Sequence, residues 1–432
     1  MASPRSVTQS WTGLVAVTMI LVVAAGYAQQ TQRDEPDALT EPRIMGNPDQ
    51  RFRVVPLTGL ESPFGFAMLP NLDMLVTEKP GRLRLVRDFT LDPTPISGIP
   101  PVLLTRFQGL WDIALHPQFE QNRLIYFTYA RKNETEVLTG DAPPSAKAVL
   151  GRARYDGGHM LSDVREIFTS NAWISGPTSA RIAFGRDGKI YMTIGVTHRD
   201  LDHGGTQRVG TPEEAQNPKS HLGKVLRLND DGTAPPDNPF AGRREYAPEI
   251  YALGVRNPQG LMLHPETGEM WEAEHGPQGG DEVNILKPGA NYGWPVISLG
   301  RAYSGDATLT DSGPELAQPC SPGMEQPLIA WLPSIGPSGM TYYTGDRFPA
   351  WKGSLFVGAL RGYQLQRVML NRRMLPTGRE SLLTELRHRI RDVKQGADGL
   401  LYVMTEGREA DRGSGKGAGT ILRIEPVVDA TR

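Results

Sequence analysis

Six segments of the sequence share one pattern, in which an apolar strand start leads into a turn of Pro, Asp, Asn or Gly and then into a second apolar strand. Each copy of the pattern predicts a β-hairpin. The segments begin at Gly65, Asp112, Arg181, Gly260, Gly339 and Asp392. Their starts lie roughly 50 to 80 residues apart, which is room for about four strands and their loops. The spacing predicts an all-β fold, a six-bladed β-propeller with four-stranded antiparallel blades. A stacked pair of sheets in a β-sandwich is the alternative.

The two ends of the repeat region are predicted to meet. The strand ILRIEP starts at Ile421, after the last hairpin, and the strand RFRVVPL starts at Arg51, before the first. A blade that combines both strands would close the ring and bury the last free sheet edges. We therefore expect residues 49–428 to form one propeller domain.

The composition agrees with a globular chain of many short elements. Of the 432 residues, 48 are Gly and 36 are Pro, the residues that tight turns require. The formal net charge is −2, so the chain lacks the basic excess that attracts nucleic acid or an anionic membrane, and neither is expected as a partner. Cys320 is the single cysteine, which excludes an intramolecular disulfide and a cysteine-based metal site.

The N-terminus has the features of a secretory signal peptide. Arg5 precedes the apolar run 14–25, and small residues ending at Ala28 form a cleavage pattern. The run is short for a membrane span of about 20 residues, so an uncleaved anchor is the weaker interpretation. We expect residues 1–28 to be removed and residues 29–48 to form a flexible polar leader. The mature chain would then have no integral membrane span and would act in the periplasm or outside the cell.

The stretch from Gly254 to Pro295 is too polar and too rich in glycine for core packing. It contains an Arg-Asn pair, a Gly-Pro turn, three acids and two aromatics: Arg256, Asn257, Glu274, Gly276, Pro277, Asp281, Glu282, Tyr292 and Trp294. Calcium binds carboxylates and backbone carbonyls, and a Gly-Pro turn exposes carbonyls. The turn, with Asp281 and Glu282, therefore indicates a calcium site, and a solvated loop is the alternative. His275 has no partner at zinc-ligand spacing and is interpreted as structural.

Arginines near the ends of several repeats indicate an anion receptor. Arg389 and Arg391 lie two residues apart on a predicted strand and hence on one face, which suits bidentate binding of carboxylates. Arg361 follows the fifth repeat, and Arg256 with Asn257 precedes the fourth. Propeller loops converge at one mouth of the central channel, so these groups are predicted to bind a small polyanion. For each arginine alone, a solvated surface charge is the alternative.

Longer motifs spread between Arg51 and Pro426 resemble one family. They are SHLGKVLRLNDDGTAPPDNPF, GVRNPQG, EHGPQGGDEVN, GANYGWP, PSGMTYY, FPAWKGSLFVGALRG and HRIRDVKQGADGLLYV. On these motifs the chain is similar to the soluble aldose sugar dehydrogenases of the glucose/sorbosone dehydrogenase family. The resemblance implies a secreted six-bladed propeller that binds pyrroloquinoline quinone (PQQ) and calcium. It also implies oxidation of aldose sugars by hydride transfer from C1 to the quinone.

The resemblance further implies roles for individual residues. Cofactor contacts are implied for Arg256, Asn257, Arg361, Arg389, Arg391, Thr405 and Gln108. The Arg-Asn pair would contact the quinone, whereas Arg389 and Arg391 would pair with its carboxylates. Arg361 stands where the family commonly has lysine, a residue with a different donor geometry. Gln108 matches a family glutamine only with a one-residue shift, because Phe107 aligns with it.

Two calcium positions are implied in the same way. The carbonyls of Gly276 and Pro277 would coordinate the calcium that touches the quinone. Glu282 and the carbonyl of Tyr292 would hold a second, structural calcium. A cation on the quinone oxygens would favour the negative charge that develops as hydride arrives.

The chain departs from the family pattern where the catalytic base is expected. Family members typically read GNHFGGR before the third repeat, and this histidine takes the sugar's hydroxyl proton. The chain reads SGPTSAR, so Pro177 stands in the place of the histidine, and Val196 stands in the place of the acid that orients it. Proline cannot accept a proton. His198 and His203 follow in the next loop and are the candidates to replace the base; surface histidines are the alternative.

Two accounts of this departure stay open. In the first, a nearby imidazole restores oxidation of a sugar substrate, with electrons passing to an unidentified acceptor. In the second, the protein keeps the calcium and quinone scaffold as a non-catalytic or redirected ligand-binding propeller. A calcium-dependent lactonase-like hydrolase is a further candidate, since such enzymes share the six-bladed fold. A lactonase needs acids and an amide around its metal, so the arginine set favours the quinoprotein.

Overall fold

The predicted hairpins are the inner strands of six radial sheets. The computed structural model describes residues 39–47, 50–138, 143–176, 178–196, 209–301, 318–406 and 418–427. Within these residues, five antiparallel sheets have four strands each and the sixth has five. The first strands of successive blades contact one another in a closed ring. This arrangement confirms the six-bladed β-propeller and excludes the sandwich.

The strands follow one another along the chain blade by blade. β1 (Arg43–Asn47) and β2 (Gln50–Glu61) come first. Blade 1 has β3 (Pro63–Met68), β4 (Met74–Glu78), β5 (Arg82–Arg87) and β6 (Thr90–Leu91). Blade 2 has β7 (Leu110–Leu115), β8 (Leu124–Lys132), β9 (Ala146–Arg154) and β10 (Ser162–Thr169). Blade 3 has β11 (Ile182–Phe184), β12 (Ile190–Ile194), β13 (Lys224–Leu228) and β14 (Ile250–Leu253).

The second half of the chain continues in the same order. Blade 4 has β15 (Pro258–Leu263), β16 (Met270–Glu274), β17 (Asp281–Ile285) and β18 (Ile329–Trp331). Blade 5 has β19 (Pro337–Tyr342), β20 (Ser354–Ala359), β21 (Gln364–Leu370) and β22 (Pro376–Leu382). Blade 6 has β23 (Ile390–Gln395), β24 (Leu401–Thr405) and β25 (Ala418–Pro426). The helical segments described are α1 (Phe119–Asn122) and the 3-10 turns Pro212–Ala215, Pro349–Trp351 and Thr384–Leu386.

Blade 6 closes the ring with strands from both ends of the chain. β25 pairs with β2, as the sequence predicted, and the antiparallel register places Phe52 opposite Pro426. β1 adds a fifth strand outside β2. Residues 43–47 therefore form a strand inside the segment predicted as a flexible leader. These residues are ordered by backbone hydrogen bonds to β2. Their own sequence has no apolar periodicity from which such a strand could be predicted.

Neighbouring blades pack through apolar faces. Trp111 of blade 2 and Leu226 of blade 3 are fully buried in one cluster, and Trp271 of blade 4 lies with Leu355 of blade 5 in another. Each sheet thus buries both faces between its two neighbours. This explains why the second strands, such as β4 and β12, are buried along their whole length.

One arginine crosses the propeller axis. Arg181 precedes β11 and donates Nη1 to Asp112 Oδ1 of blade 2 and to Asp392 Oδ2 of blade 6, each at 3.3 Å. Its Nε donates to the carbonyl of Gln259 in blade 4 at 2.7 Å, and its Nη2 donates to the carbonyl of Arg391 at 3.1 Å. Arg181 therefore ties blade 3 to three other blades where their first strands meet.

The described residues after Leu39 belong to one compact unit. No helix among them is long and apolar enough to span a membrane. The signal peptide predicted over residues 1–28 lies outside the described residues.

Candidate functional site

A cavity of about 740 Å³ opens between blades 4, 5 and 6. Its wall comes from the β16–β17 turn, Arg301 of the β17–β18 connection, the segment that precedes β19, the β20–β21 turn and the residue that precedes β23. These connections lie at one end of the propeller, as expected for converging loops. Arg301, Arg361 and Arg389 bring three guanidinium groups to the wall. Of the predicted site residues, Gly276 and Pro277 also line it.

Asp281 holds the wall of this cavity together. Its Oδ1 accepts hydrogen bonds from the Gly276 N–H and the Ser334 hydroxyl, both at 2.9 Å. Its Oδ2 accepts from the N–H groups of Ile335 at 2.7 Å and Gly336 at 2.8 Å. Burial raises the pKa of Asp281, and the four donors oppose this effect. With both oxygens occupied, Asp281 acts as a brace between blades 4 and 5.

The Gly276 turn brings several carbonyl groups close together. A side-chain Cβ on Gly276 would come within 2.3 Å of the carbonyl oxygens of Gly279 and Gly280, so only glycine fits here. Arg256 stabilises the turn, since its Nη1 donates to the carbonyls of His275 at 2.8 Å and Gly276 at 3.0 Å. A carbonyl has two lone pairs, and the turn therefore remains a suitable donor set for a hard cation.

Asn257 and Arg391 are joined through Gln259, which the sequence analysis did not single out. Gln259 Nε2 donates to Asn257 Oδ1 and to the Ser179 hydroxyl, both at 2.9 Å. Arg391 Nη1 donates to Gln259 Oε1, also at 2.9 Å. Gln259 lies two residues after Asn257 in the motif GVRNPQG. Residues at this spacing on a strand share one face, so the sequence could have predicted that Gln259 lies beside Asn257. Blades 3, 4 and 6 thus share one buried polar network.

Arg389 and Arg391 meet at the same carboxylate, that of Glu406. Arg391 Nη2 lies 2.5 Å from Glu406 Oε2, and Arg389 Nε and Nη2 lie 3.4 Å from it. Burial disfavours the charged carboxylate, but the charges of Arg391, Arg389 and Lys79 outweigh it and lower the pKa of Glu406 to about 2. The predicted pair therefore shares one face, and an internal carboxylate that sequence reasoning missed lies between them. Arg389 lines the cavity, whereas Arg391 is held by Glu406 and Gln259.

Thr405 and Gln108 are buried away from the cavity. The Thr405 hydroxyl accepts a hydrogen bond from the Thr420 N–H at 3.1 Å, within blade 6. Gln108 Nε2 donates to the Ile174 carbonyl at 2.8 Å. Gln108 Oε1 is buried without a hydrogen-bond partner in the described part of the chain. A buried acceptor in that state needs a donor from outside the described residues.

Four polar side chains share one face of β16 and β17. Glu274 stands opposite Glu282, and Glu272 stands opposite Asn284, whose Nδ2 donates to Glu272 Oε1 at 2.8 Å and Glu282 Oε2 at 3.2 Å. Burial raises the pKa of Glu274 to about 8, that of Glu282 to about 7 and that of Glu272 well above its ordinary value. Repulsion between the acids adds to the shifts of Glu272 and Glu274, and repulsion from Asp281 adds to that of Glu282. Buried carboxylates so close together require protons or a cation.

Over the described ranges, no group of three or more His, Cys, Asp or Glu side chains forms a metal site. The calcium ligands predicted from the sequence combine the backbone carbonyls of Gly276, Pro277 and Tyr292 with the carboxylate of Glu282. The Tyr292 hydroxyl donates to the Ile285 carbonyl at 2.7 Å, which fixes this residue beside β17.

The positions of the missing base lie at the edge of the described structure. Pro177, His198 and His203 are outside the described residues. Their neighbours meet near Arg256: the Thr178 hydroxyl lies 3.4 Å from the Gly195 carbonyl, and the Val196 N–H donates to the Arg256 carbonyl at 2.7 Å. The segments that carry the base and its orienting acid in the family therefore lie side by side in this chain.

Comparison with known proteins identifies the family of the chain. Residues 60–414 match the family model Glucose / Sorbosone dehydrogenase. The chain is 35% identical over 371 residues to Aldose sugar dehydrogenase YliI of Escherichia coli K12, covering 85% of this chain and 91% of that protein. It is 27% identical over 410 residues to Quinoprotein glucose dehydrogenase B of Acinetobacter calcoaceticus, covering 81% and 84%. The PQQ-bound Aldose Sugar Dehydrogenase structure from Streptomyces coelicolor superposes with a TM-score of 0.62 at 26% identity, covering 85% and 96%. The chain therefore belongs to the glucose/sorbosone dehydrogenase family.

Proposed function

We propose that this protein binds PQQ and calcium in the cavity between blades 4, 5 and 6 and oxidises aldose sugars slowly. The observation that carries the proposal is the meeting of three guanidinium groups and a carbonyl-rich turn on one cavity of about 740 Å³. PQQ is a planar tricarboxylate, and the cavity volume lies within the range of roughly 300–1,000 Å³ typical of small-molecule sites. Arg389 and Arg361 would pair with its carboxylates.

The donor set of the β16–β17 turn fits calcium. The carbonyls of Gly276 and Pro277 would hold the ion beside the quinone, and Glu282 with the Tyr292 carbonyl would hold a second one. Calcium on the quinone oxygens would supply Lewis acidity for hydride acceptance. Arg256 would keep the turn in place through its bonds to the carbonyls of His275 and Gly276.

The chain's own residues limit the proton transfer. Oxidation of a sugar at C1 requires removal of the hydroxyl proton, and Pro177 has no group that accepts one. His198 and His203 are the proposed substitutes. A non-catalytic, ligand-binding propeller is the second candidate, and the Pro177 change is the observation that favours it. Unchanged turnover in His198→Ala and His203→Ala variants would exclude both imidazoles as the base.

Export is part of the proposal. The predicted signal peptide would carry the protein to the periplasm or outside the cell, where the electron acceptor would also be found.

Titration of the calcium-loaded protein with PQQ tests cofactor binding directly. We expect the quinone absorbance to change and to saturate at one PQQ per chain. Arg389→Gln is expected to weaken binding by at least about tenfold, because a charge-assisted hydrogen bond to a carboxylate is lost. Arg372→Gln, an exposed arginine in the β21–β22 turn, is the matched control. An absorbance spectrum that stays constant on mixing would rule out the cofactor.

The calcium-free protein is expected to lose stability as the pH rises from about 5 to about 8. Glu274 and Glu282 have folded-state pKa values of about 8 and about 7, above the ordinary value of 4.5. The folded state therefore retains protons that the unfolded chain has released, and the loss of stability accumulates with pH until the folded-state pKa values are passed. Calcium would replace those protons, so it should raise the melting temperature more at the higher pH.

Thermal unfolding in EDTA and in calcium, at both pH values, measures this effect. Glu282→Gln should reduce the pH dependence and the calcium response together. Equal melting temperatures at both pH values in EDTA would contradict the assignment of raised pKa values to the cluster.

A further inference from the structure

Arg301 lines the same cavity as Arg361 and Arg389 but lies outside the motifs that identify the family. Its backbone is fixed against the β16–β17 turn, because the Gln278 N–H donates to the Arg301 carbonyl at 2.8 Å and the Arg301 N–H donates back at 3.2 Å. Its side chain is exposed, as is that of Arg361. The fold therefore fixes the backbone from which the Arg301 side chain reaches the cavity mouth.

Arg301 and Arg361 differ from Arg389 in whether an acid pairs with them. Arg389 pairs with Glu406, whereas neither Arg301 nor Arg361 forms an ion pair within the described ranges. Asp281 is the one carboxylate among the described residues of the cavity wall, and four hydrogen bonds from protein groups already engage it. The cavity mouth thus carries two positive charges that no described acid neutralises. A cleft lined by charges of one sign concentrates counter-ions.

The mouth also has an apolar side. Leu332 is 64% exposed although it is a large hydrophobic residue, and it lines the cavity together with Pro333. Leu332 packs against Gly279, because a Cβ added to Gly279 would lie 3.0 Å from Cδ2 of Leu332. A cationic pair beside an apolar surface suits a ligand that combines a ring with carboxylate groups.

We propose that Arg301 and Arg361 form an anion subsite at the mouth of the cavity that binds a carboxylate of the ligand. The carboxylate comes either from PQQ or from an acidic sugar, such as a uronic acid, as the substrate. The identity of the ligand rests on the proposed function, whereas the subsite itself requires only a small polycarboxylate. Two guanidinium forks bind a planar carboxylate bidentately, which lysine cannot do.

Calorimetric titration of the protein with tricarballylate, a flexible tricarboxylate, tests the subsite without any quinone. Arg301→Gln and Arg361→Gln should each weaken binding by at least about tenfold. Both should also reduce its salt dependence, because one charge contact is removed. Arg301→Lys should give an intermediate affinity, since it keeps the charge without the fork. Arg372→Gln should bind like the wild type.

Two further measurements separate the sources of the carboxylate. If Arg301→Gln weakens PQQ binding about tenfold, the cofactor supplies the group. If PQQ binding is unchanged but the ratio of kcat/KM for glucuronate to that for glucose falls about tenfold, the substrate supplies it. The proposal would be overturned if the Arg301→Gln variant kept the wild-type affinity for tricarballylate, the wild-type affinity for PQQ and the wild-type ratio of kcat/KM values. If the wild type binds tricarballylate through Arg301 but not PQQ, the proposed function fails and the anion subsite stands.

Discussion

Replacing Pro177 with His and Val196 with Asp together is expected to raise the rate of sugar oxidation by roughly 10²- to 10⁴-fold, the usual contribution of a positioned general base. The double change restores both the proton acceptor and the acid that orients it. Val196 is 2% exposed, and its N–H donates to the Arg256 carbonyl, so position 196 lies beside Arg256. The Thr178–Gly195 contact brings the segment beside position 177 to the same place.

The single variants separate the two contributions. Pro177→His alone should give a smaller gain, because its imidazole would lack an orienting partner. Val196→Asp alone should give none and should destabilise the protein, because it buries an unpaired carboxylate. A larger effect of the double variant than of the two single variants combined would demonstrate the coupling.

Dye reduction by the PQQ- and calcium-loaded variants with a panel of aldoses measures the effect. PQQ affinity should stay at the wild-type value throughout, which distinguishes proton transfer from cofactor binding. Fast turnover in the native protein, with no gain in the double variant, would show that the base lies elsewhere.

Arg181→Met is expected to lower the free energy of unfolding by about 3–5 kcal/mol, the usual cost of removing one partner from a buried ion pair. The substitution leaves Asp112 and Asp392 buried without their shared cation. It also removes the donors to the carbonyls of Gln259 and Arg391. These bonds join blades at the axis, so we expect cooperative loss of the whole ring rather than of one blade.

Urea unfolding followed by circular dichroism measures this loss. Arg165→Met is the matched control, since Arg165 is 61% exposed and pairs only with Asp163 among the described residues. Its effect should stay within about 0.5 kcal/mol. Adding Asp112→Asn and Asp392→Asn to Arg181→Met should recover part of the stability, because no buried acid is then left unpaired. A loss below about 1 kcal/mol in Arg181→Met would contradict the role assigned to this residue.

Much of the architecture follows from local patterns. Strand alternation and turn residues placed all six hairpins, and the strands starting at Arg51 and Ile421 pair as expected. The i, i+2 relation placed Arg389 and Arg391 on one face, where they do meet at one carboxylate. The tight turn at Gly276 was also predictable from the sequence, because Gly-Pro restricts the backbone conformations available there. Apart from the pairing of the two chain ends, these features depend on residues within one hairpin or on one strand.

The sequence by itself therefore determined the fold class, the family and one wall of the candidate site. Only the tertiary structure assigned Asp281 as a brace, Gln259 and Glu406 as links in the polar network, and Arg301 to the cavity. The link from Gln259 to Arg391 spans 132 residues and depends on how six sheets are arranged around one axis. Side-chain periodicity has a range of a few residues, whereas a hydrogen bond across the propeller axis depends on the closure of the whole ring.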